Sequence, residues 1–423
     1  MPAAQRTPRL PPEVRRRELL DAALDVIYEQ GFPAVTVEAV VRRAGVTRPV
    51  LYDLFGDLEG LLLALIDREE EAALSPLLAI MDAAPRDDAD PEQVLVDGVL
   101  AFLEAVRAAP RTWRLVLMPP HGGSEELRAR ISRSRRMIAG QLTELLDWGV
   151  AKRGGPAGLD HPLAARLIVA AGEDAARLTL LHPRRYPPAR LAGLARAAVA
   201  LLPVDAVPAG IARPAPPVAA AAPPATVAGP VRLSRAERRE QLLDVTLDLL
   251  AEHGFDALTM EAIARRAQVN RAVVYRSFAN LQLLLLALLR REDARTRRTI
   301  DALVPADPGG RAPTAVLAES LATFLDAVLR SPQTYRVILL RPESAPLFLQ
   351  KLVNRRRAQI AQRLRPLVEV GLPADVDVDL VARLVLSTGE ELARLALDDP
   401  DFPPDRLLES ACDLLDLMPI AGL

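Results

Sequence analysis

Residues 47–65 read TRPVLYDLFGDLEGLLLAL, and residues 270–288 read NRAVVYRSFANLQLLLLAL. The two stretches align without a gap and share an arginine, a tyrosine, a phenylalanine and a run of leucines. Working outward, the match holds at an offset of 223 residues from Arg16/Arg239 to Glu69/Glu292. It resumes at 222, where FLEAVRAAPRTWRLVLMPP (102–120) answers FLDAVLRSPQTYRVILLRP (324–342). Further on, AARLIVAAGEDAARLTLLHP (164–183) answers VARLVLSTGEELARLALDDP (381–400). The chain is therefore a tandem duplication of a unit of roughly two hundred residues, a period far too long for a solenoid. The copies are joined by a Pro/Ala-rich linker over 203–231 with no usable periodicity. Its composition suits an extended, partly polyproline-II strap. At about 3.1 Å per residue it reaches on the order of 80 Å, long enough to let the copies pack side by side.

Of the 423 residues half are apolar and only 4% aromatic, and alanine and leucine predominate. Such a composition favours an all-α fold. The one cysteine, Cys412, excludes an internal disulfide and fits a reducing compartment. The N-terminal basic residues have no apolar segment behind them, and no apolar run approaches a membrane span, so a cytoplasmic protein without a membrane partner is expected. The net charge of −2 gives no sign of nucleic acid. Arginine is nonetheless the dominant cation, since Lys152 and Lys351 are the only lysines.

In the first copy the periodicity predicts a helix over 13–30, with Leu19, Leu20, Ala23, Leu24 and Ile27 as its apolar stripe and Gly31 as its stop. Thr36 suits the cap of a short helix that ends at Ala44-Gly45, with Glu38 placed where a carboxylate favours the helix dipole. Thr47 suits the cap of a third helix, with Pro49 tolerated in its first turn. A long fourth helix starts near Leu58. The second copy repeats these elements near 234–253, 260–267, 271–277 and 281–302. Gln268 replaces Gly45 at the turn, a costly exchange if that position needs positive φ. Helix, short helix, glycine-containing turn, short helix is helix-turn-helix geometry.

The pattern GFxAxTxExxxRRAxVxRxxxYxxF, read from Gly31 and again from Gly254, resembles the DNA-binding domain of the TetR family of bacterial transcriptional regulators. The resemblance implies two TetR-like units, each a helix-turn-helix domain (13–66 and 232–289) followed by a helical effector and dimerisation domain (67–202 and 290–423). It implies a third helix docked in the major groove of an operator, an effector pocket in each C-terminal half, and pairing of the copies through their last two helices as an intramolecular pseudo-dimer. Further self-association stays open. One departure is Leu58 and Leu281, which stand where the family usually has a lysine that meets phosphate.

Arg48, Pro49, Arg271, Ala272 and Arg276 are placed to reach base edges, since arginine grips guanine bidentately and Pro or Ala meets a thymine methyl. Thr36, Thr47, Thr259 and Asn270 at helix N-termini, the hydroxyls of Tyr52 and Tyr275, and Arg16 and Arg239 are candidates for the DNA backbone. Phe55 and Phe278 read as core. The heads differ in charge: residues 40–58 carry three arginines against Asp53 and Asp57, whereas 263–281 carry four arginines and no acid. The second head is the better expected DNA binder, and unlike recognition helices predict an asymmetric operator. Beyond the heads, five more helices are expected in the first copy, near 91–109, 111–117, 124–151, 161–181 and 188–202.

Weak effector candidates are the recurring Trp113, Arg114 and Met118 with Tyr335 and Arg336, and the acid pairs Glu173-Asp174 and Glu390-Glu391. The acids would also serve as bridges to Arg177 and Arg394 one turn along. Nothing points to catalysis, a metal or a cofactor: His121, His161, His182 and His253 lack ligand spacing, and the glycine pairs have no P-loop lysine.

Overall fold

The computed structural model describes residues 11–30, 34–83, 89–118, 125–154, 158–200, 212–215, 233–255, 258–303, 310–339, 347–370, 372–373 and 376–417. Among these the secondary structure is helical, with no strand. The first copy contributes α1 (Pro12–Gln30), α2 (Val37–Ala44), α3 (Arg48–Phe55), α4 (Leu58–Ala83), α5 (Pro91–Ala108), α6 (Pro110–Leu117), α7 (Glu125–Arg153), α8 (His161–Leu181) and α9 (Pro188–Ala200). The second repeats the order as α10 (Arg235–His253), α11 (Met260–Arg266), α12 (Arg271–Ser277), α13 (Leu281–Leu303), α14 (Pro313–Arg330), α15 (Pro332–Ile338), α16 (Leu347–Glu369), α17 (Val378–Asp398) and α18 (Pro404–Asp416). Most of the expected linker, 203–211 and 216–231, lies outside the described residues. Within its described part, Arg213 pairs with Asp413 of α18 at 2.5 Å.

Local chemistry sets the short helices. Thr36 accepts from the Ala39 N–H at 3.1 Å and Thr259 from the Ala262 N–H at 2.9 Å, so both second helices are capped as the sequence suggests. Ser234 and Glu237 form a reciprocal capping box at the start of α10. The turn after α2 closes with the Val46 N–H donating to the Val41 carbonyl at 3.0 Å; Val269 donates to Ala264 at the same distance. These are the six-to-one bonds of a Schellman motif, which requires a left-handed residue. Gly45 meets that need with φ 66°, and Gln268 adopts φ 53°, the one positive-φ non-glycine among the described residues. A Cβ at Gly45 would meet nothing within 4 Å, so the strain at Gln268 is one of backbone torsion rather than crowding.

The chain divides into two compact units: one of residues 1–87, 97–120 and 175–189, the other of 88–96, 121–174 and 190–423. In the first, Leu19, Leu20, Ala23 and Val26 of α1 are buried with Val40, Leu51, Leu61 and Leu65 of α2, α3 and α4. The expected stripe is rotated slightly, with Val26 sealed and Leu24 and Ile27 half-buried. In the second unit the α10–α13 core runs on without a seam into the effector half, through Val337 of α15 and Leu349 of α16. A second core there joins the two copies: Leu163 and Leu167 of α8 pack with Leu392, Leu395, Leu407 and Leu408 of α17 and α18.

Ion pairs frame that junction. Arg406 donates to Asp160 at 2.7 Å, and its counterpart is the pair of Arg190 with Asp377. Asp160 and Asp377 immediately precede α8 and α17, while Arg190 and Arg406 are each the third residue of α9 and α18. The two contacts are thus related as in a two-fold interface, where residue i meets j and j meets i. Burial alone would raise the Asp160 carboxyl, but Arg406, the Leu163 N–H and the Ser410 hydroxyl together hold it below its ordinary value.

The torsional strain makes a prediction. Gln268→Gly stabilises the second head by about 1 kcal/mol, since the left-handed region costs a side-chain-bearing residue roughly that much. Amide exchange across α11 and α12 then slows roughly fivefold. Unchanged exchange would show that the turn carries no such cost.

Candidate functional site

Each head presents the first turn of its third helix to solvent. In α3, Leu51 is fully buried and orients the helix, leaving Thr47, Arg48, Pro49, Tyr52 and Asp53 exposed. Thr47 makes no side-chain capping bond. In α12 the buried anchor is Val274, and Asn270, Arg271, Ala272, Tyr275 and Arg276 are exposed. Asn270 is occupied as a cap, accepting from the Ala272 N–H at 3.0 Å. Tyr52 and Tyr275 are 47% and 42% exposed, so their phenols are surface groups rather than core.

The leading arginines sit in unlike surroundings. Arg48 pairs with Glu38 of α2 at 2.5 Å, whereas Arg271 is 3.9 Å from the equivalent Glu261. Arg271 instead donates to the Tyr275 hydroxyl at 3.2 Å and lies 5.4 Å from its ring. The Tyr275 contact pushes the Arg271 guanidinium further up from its ordinary value. In the first head the guanidinium is thus held by a carboxylate, whereas in the second its hydrogen bond is to the Tyr275 hydroxyl.

Arg16 and Arg239 do a different task in this conformation. Arg16 donates to the Leu54 carbonyl at 3.1 Å and lies 4.5 Å over the Phe55 ring. Arg239 donates to the Ser277 carbonyl at 2.8 Å and lies 4.0 Å over Phe278. Each satisfies an orphan carbonyl at the C-terminal end of the recognition helix and lies over the aromatic anchor. Phe278 is buried as expected; Phe55 is half-buried. Arg43 bridges to Asp25 and Glu29 of α1, and Arg266 to Glu252 of α10, so these arginines brace the second helix against the first.

Two stretches of the chain match the family model for bacterial regulatory proteins of the tetR family, residues 19–65 and 242–288, each running from the first helix of a head into its fourth. The chain thus carries the tetR-family DNA-binding domain twice, once in each head. It is 33% identical over 101 residues to the HTH-type transcriptional regulator BetI of Escherichia coli O17:K52:H18 (strain UMN026 / ExPEC), an alignment covering 24% of this chain and 52% of that protein. It is 27% identical over 139 residues to the HTH-type transcriptional activator FasR of Mycolicibacterium smegmatis, covering 33% of this chain and 62% of that one. The chain therefore spans little more than half the length of these curated relatives. Among solved structures, a TetR-like transcriptional regulator from Rhodococcus sp. RHA1 matches with a TM-score of 0.37 at 24% identity, covering 45% of this chain and 99% of that one.

Behind the second TetR-like head lies a cavity of about 420 Å³. Tyr335 and Glu390, two of the weak effector candidates, stand in its wall together. Arg336 pairs instead with Asp398 at 3.0 Å, and Glu391 with Arg394 at 2.5 Å. In the first copy Trp113 packs edge-on against Phe102, Arg114 lies 5.2 Å over Tyr28, and Met118 is half-buried just after α6. Glu173 takes Arg135 at 2.7 Å, while Asp174 takes the Ser387 hydroxyl of the other copy at 2.8 Å. Sequence reasoning missed the cavity's arginines, Arg356, Arg357 and Arg363. The signal was the cluster NRRR at 354–357, which lies on the wall-forming helix α16.

Among the described residues no single helix is long and apolar enough to cross a membrane. The bent pair α12–α13 passes a test of length and composition, but Leu284, Leu285 and Leu288 of α13 are buried in the head's own core.

The stacked arginines set a test of the recognition helix. Arg239→Ala costs the second head about 1–2 kcal/mol, combining a lost carbonyl bond and a lost cation–π contact. Calorimetric melting should show the loss, with Arg239→Lys recovering less than half because an ammonium lacks the planar fork. An unshifted melt would remove Arg239 from the scaffold.

Proposed function

We propose that this TetR-family chain is a sequence-specific DNA-binding transcriptional regulator, a repressor relieved by a small-molecule effector. On this reading residues 13–66 and 232–289 are its DNA-binding domains, 67–202 and 290–423 its effector and pairing domains, and it works in the cytoplasm. The reading rests above all on two exposed recognition helices that are alike in scaffold and unlike in surface. Arg48, Pro49 and Asp53 stand in one where Arg271, Ala272 and Arg276 stand in the other. Arg48 and Arg271 are the candidate guanine readers, Pro49 and Ala272 the candidate methyl contacts, and Tyr52, Tyr275, Thr36, Thr47, Thr259 and Asn270 the candidate phosphate neighbours. The two half-sites of the operator are then different sequences.

A second reading, in which only the second head binds, is favoured by the tighter Glu38–Arg48 pair and by Asp53 on the recognition helix. Both oppose phosphate at the first head.

Selection of genomic fragments by the purified chain tests these readings. Binding should fall steeply with salt, as counterion release requires. Arg271→Ala should cost about 1–3 kcal/mol and relax the choice of base at one position. Arg48→Ala should do the same at a different base if both heads read, and almost nothing if one does. A perfect palindrome protected equally by both heads would defeat the asymmetric operator, and salt-insensitive or unsaturable binding would defeat DNA recognition itself.

A further inference from the structure

The cavity behind the second head is large enough for a small molecule, and its walls are mostly aliphatic. It lies against the seam between the copies, since Leu167 and Leu194 of the first copy reach it. Its polar groups are few. Tyr335 is 2% exposed, and its ring packs edge-on against Phe324. Burial raises the Tyr335 phenol above its ordinary value, so it stays protonated as a donor.

Three guanidinium groups share the wall with one carboxylate. Arg357 is paired with that carboxylate, Glu390, at 3.0 Å. Arg356 turns to the head instead: it reaches Asp293 at 2.8 Å and the Thr296 hydroxyl at 2.8 Å, both on α13. Burial pushes Arg356 below its ordinary value despite the opposing pull of Asp293. Two of these arginines are particular to this copy. With α7 and α16 aligned on Arg135/Arg357, Ile138/Ile360 and Leu142/Leu364, Ser134 and Gln141 occupy the positions of Arg356 and Arg363.

Resting on the regulator reading above, we infer that this cavity binds an amphipathic anion, its apolar body along the aliphatic wall and its acidic head at Arg356 and the Tyr335 hydroxyl, and that the first copy has no equivalent site. The bound head competes with Asp293 for Arg356. Asp293 keeps a partner when it is displaced, since Arg297 lies 3.1 Å away on the same helix. The contact released is one that ties α13 to α16, and only three residues separate α13 from the recognition helix α12. Ligand charge is thereby converted into freedom of the helix that carries the second head.

Titration calorimetry on the full chain with decanoate below its micelle concentration, against decanol and decyltrimethylammonium, tests this without any DNA. The expected result is one saturable site per chain for decanoate, at least about tenfold tighter than for either control. Arg356→Gln and Tyr335→Phe each weaken decanoate by about tenfold or more, with circular dichroism checking the fold. Tyr335→Phe removes a single oxygen from the cavity wall and leaves the ring in place, so its fold is kept even if Arg356→Gln proves unstable. Equal binding of decanol, two equivalent sites, or full affinity in Tyr335→Phe would overturn the assignment. A chain that takes decanoate but no DNA would defeat the regulator reading and leave the site standing. Decanoate that binds without releasing a selected DNA fragment would overturn the competition with Asp293.

Discussion

A carboxylate with no solvent at all anchors the second head to the body behind it. Glu292 of α13 is 0% exposed and receives Arg291 at 2.8 Å, Arg295 at 3.1 Å and the Thr334 hydroxyl of α15 at 2.7 Å. A buried carboxylate is tolerated only when its lone pairs are filled, so α13 and α15 are fixed in the one register that fills them. Arg291 also reaches Glu240 and Asp244, which draws α10 into the same network. The first copy repeats the device: Glu69 takes Arg68 at 2.9 Å and Thr112 at 2.5 Å, and Arg68 extends to Asp21 of α1. In neither copy is the head a bead on a thread. The shared core through Val337 and Leu349 adds an apolar seal to the polar tie in the second copy. A displacement at α15 or α16 therefore cannot be absorbed locally, because close-packed cores shift as units.

That coupling gives the differences between the copies their meaning. The scaffold pieces were kept in pairs: the Schellman turn, the threonine caps, the arginine over phenylalanine, the buried glutamate. Several of the pieces that face solvent or the cavity were not. Asp53 stands where Arg276 does, Ser134 where Arg356 does, and Gln141 where Arg363 does. Duplication inside one chain frees each half from serving as its own partner. A change in one recognition helix or one cavity is then not imposed on the other.

Much of this was legible in the residues because it is local. Caps, glycine stops and 3.6-residue periodicity act over a few positions, and the helix boundaries follow them closely. The strained turn was legible too, since Gly45 against Gln268 is a question about one torsion. What escaped the sequence depends on distant partners. Glu173 and Asp174 are neighbours, yet one turns to Arg135 of its own copy and the other to Ser387 of the second. The one-turn bridge expected for such acids is made at Glu390 and Glu391 with Arg394, while Arg177 donates to the Leu117 carbonyl. Arg16 and Arg239 read as candidates for the DNA backbone, and only the fold shows an aromatic ring and an orphan carbonyl beside them. The cavity's arginines were hidden for the same reason: a cationic cluster on an amphipathic helix looks like a solvated face until the opposing wall is known.

The junction between copies shows how symmetry and asymmetry coexist. Asp160 with Arg406 and Asp377 with Arg190 are the same contact made twice, and they fix a pseudo-two-fold relation between the paired helices. Inside that frame the relation is broken. Arg166 pairs with Asp399, whereas its counterpart Arg383 lies 3.4 Å from Asp174, a carboxylate 3% exposed. Asp174 also stands 3.6 Å from Arg357, the cation that holds Glu390 in the cavity wall. A group from the first copy is thus part of the charge balance of the second copy's cavity. Because a buried charge is stable only while its partners hold, the two copies are coupled by electrostatics at the one place where they most differ. The peripheral pairs preserve a dimer's geometry, and the central ones make its halves interdependent without making them alike.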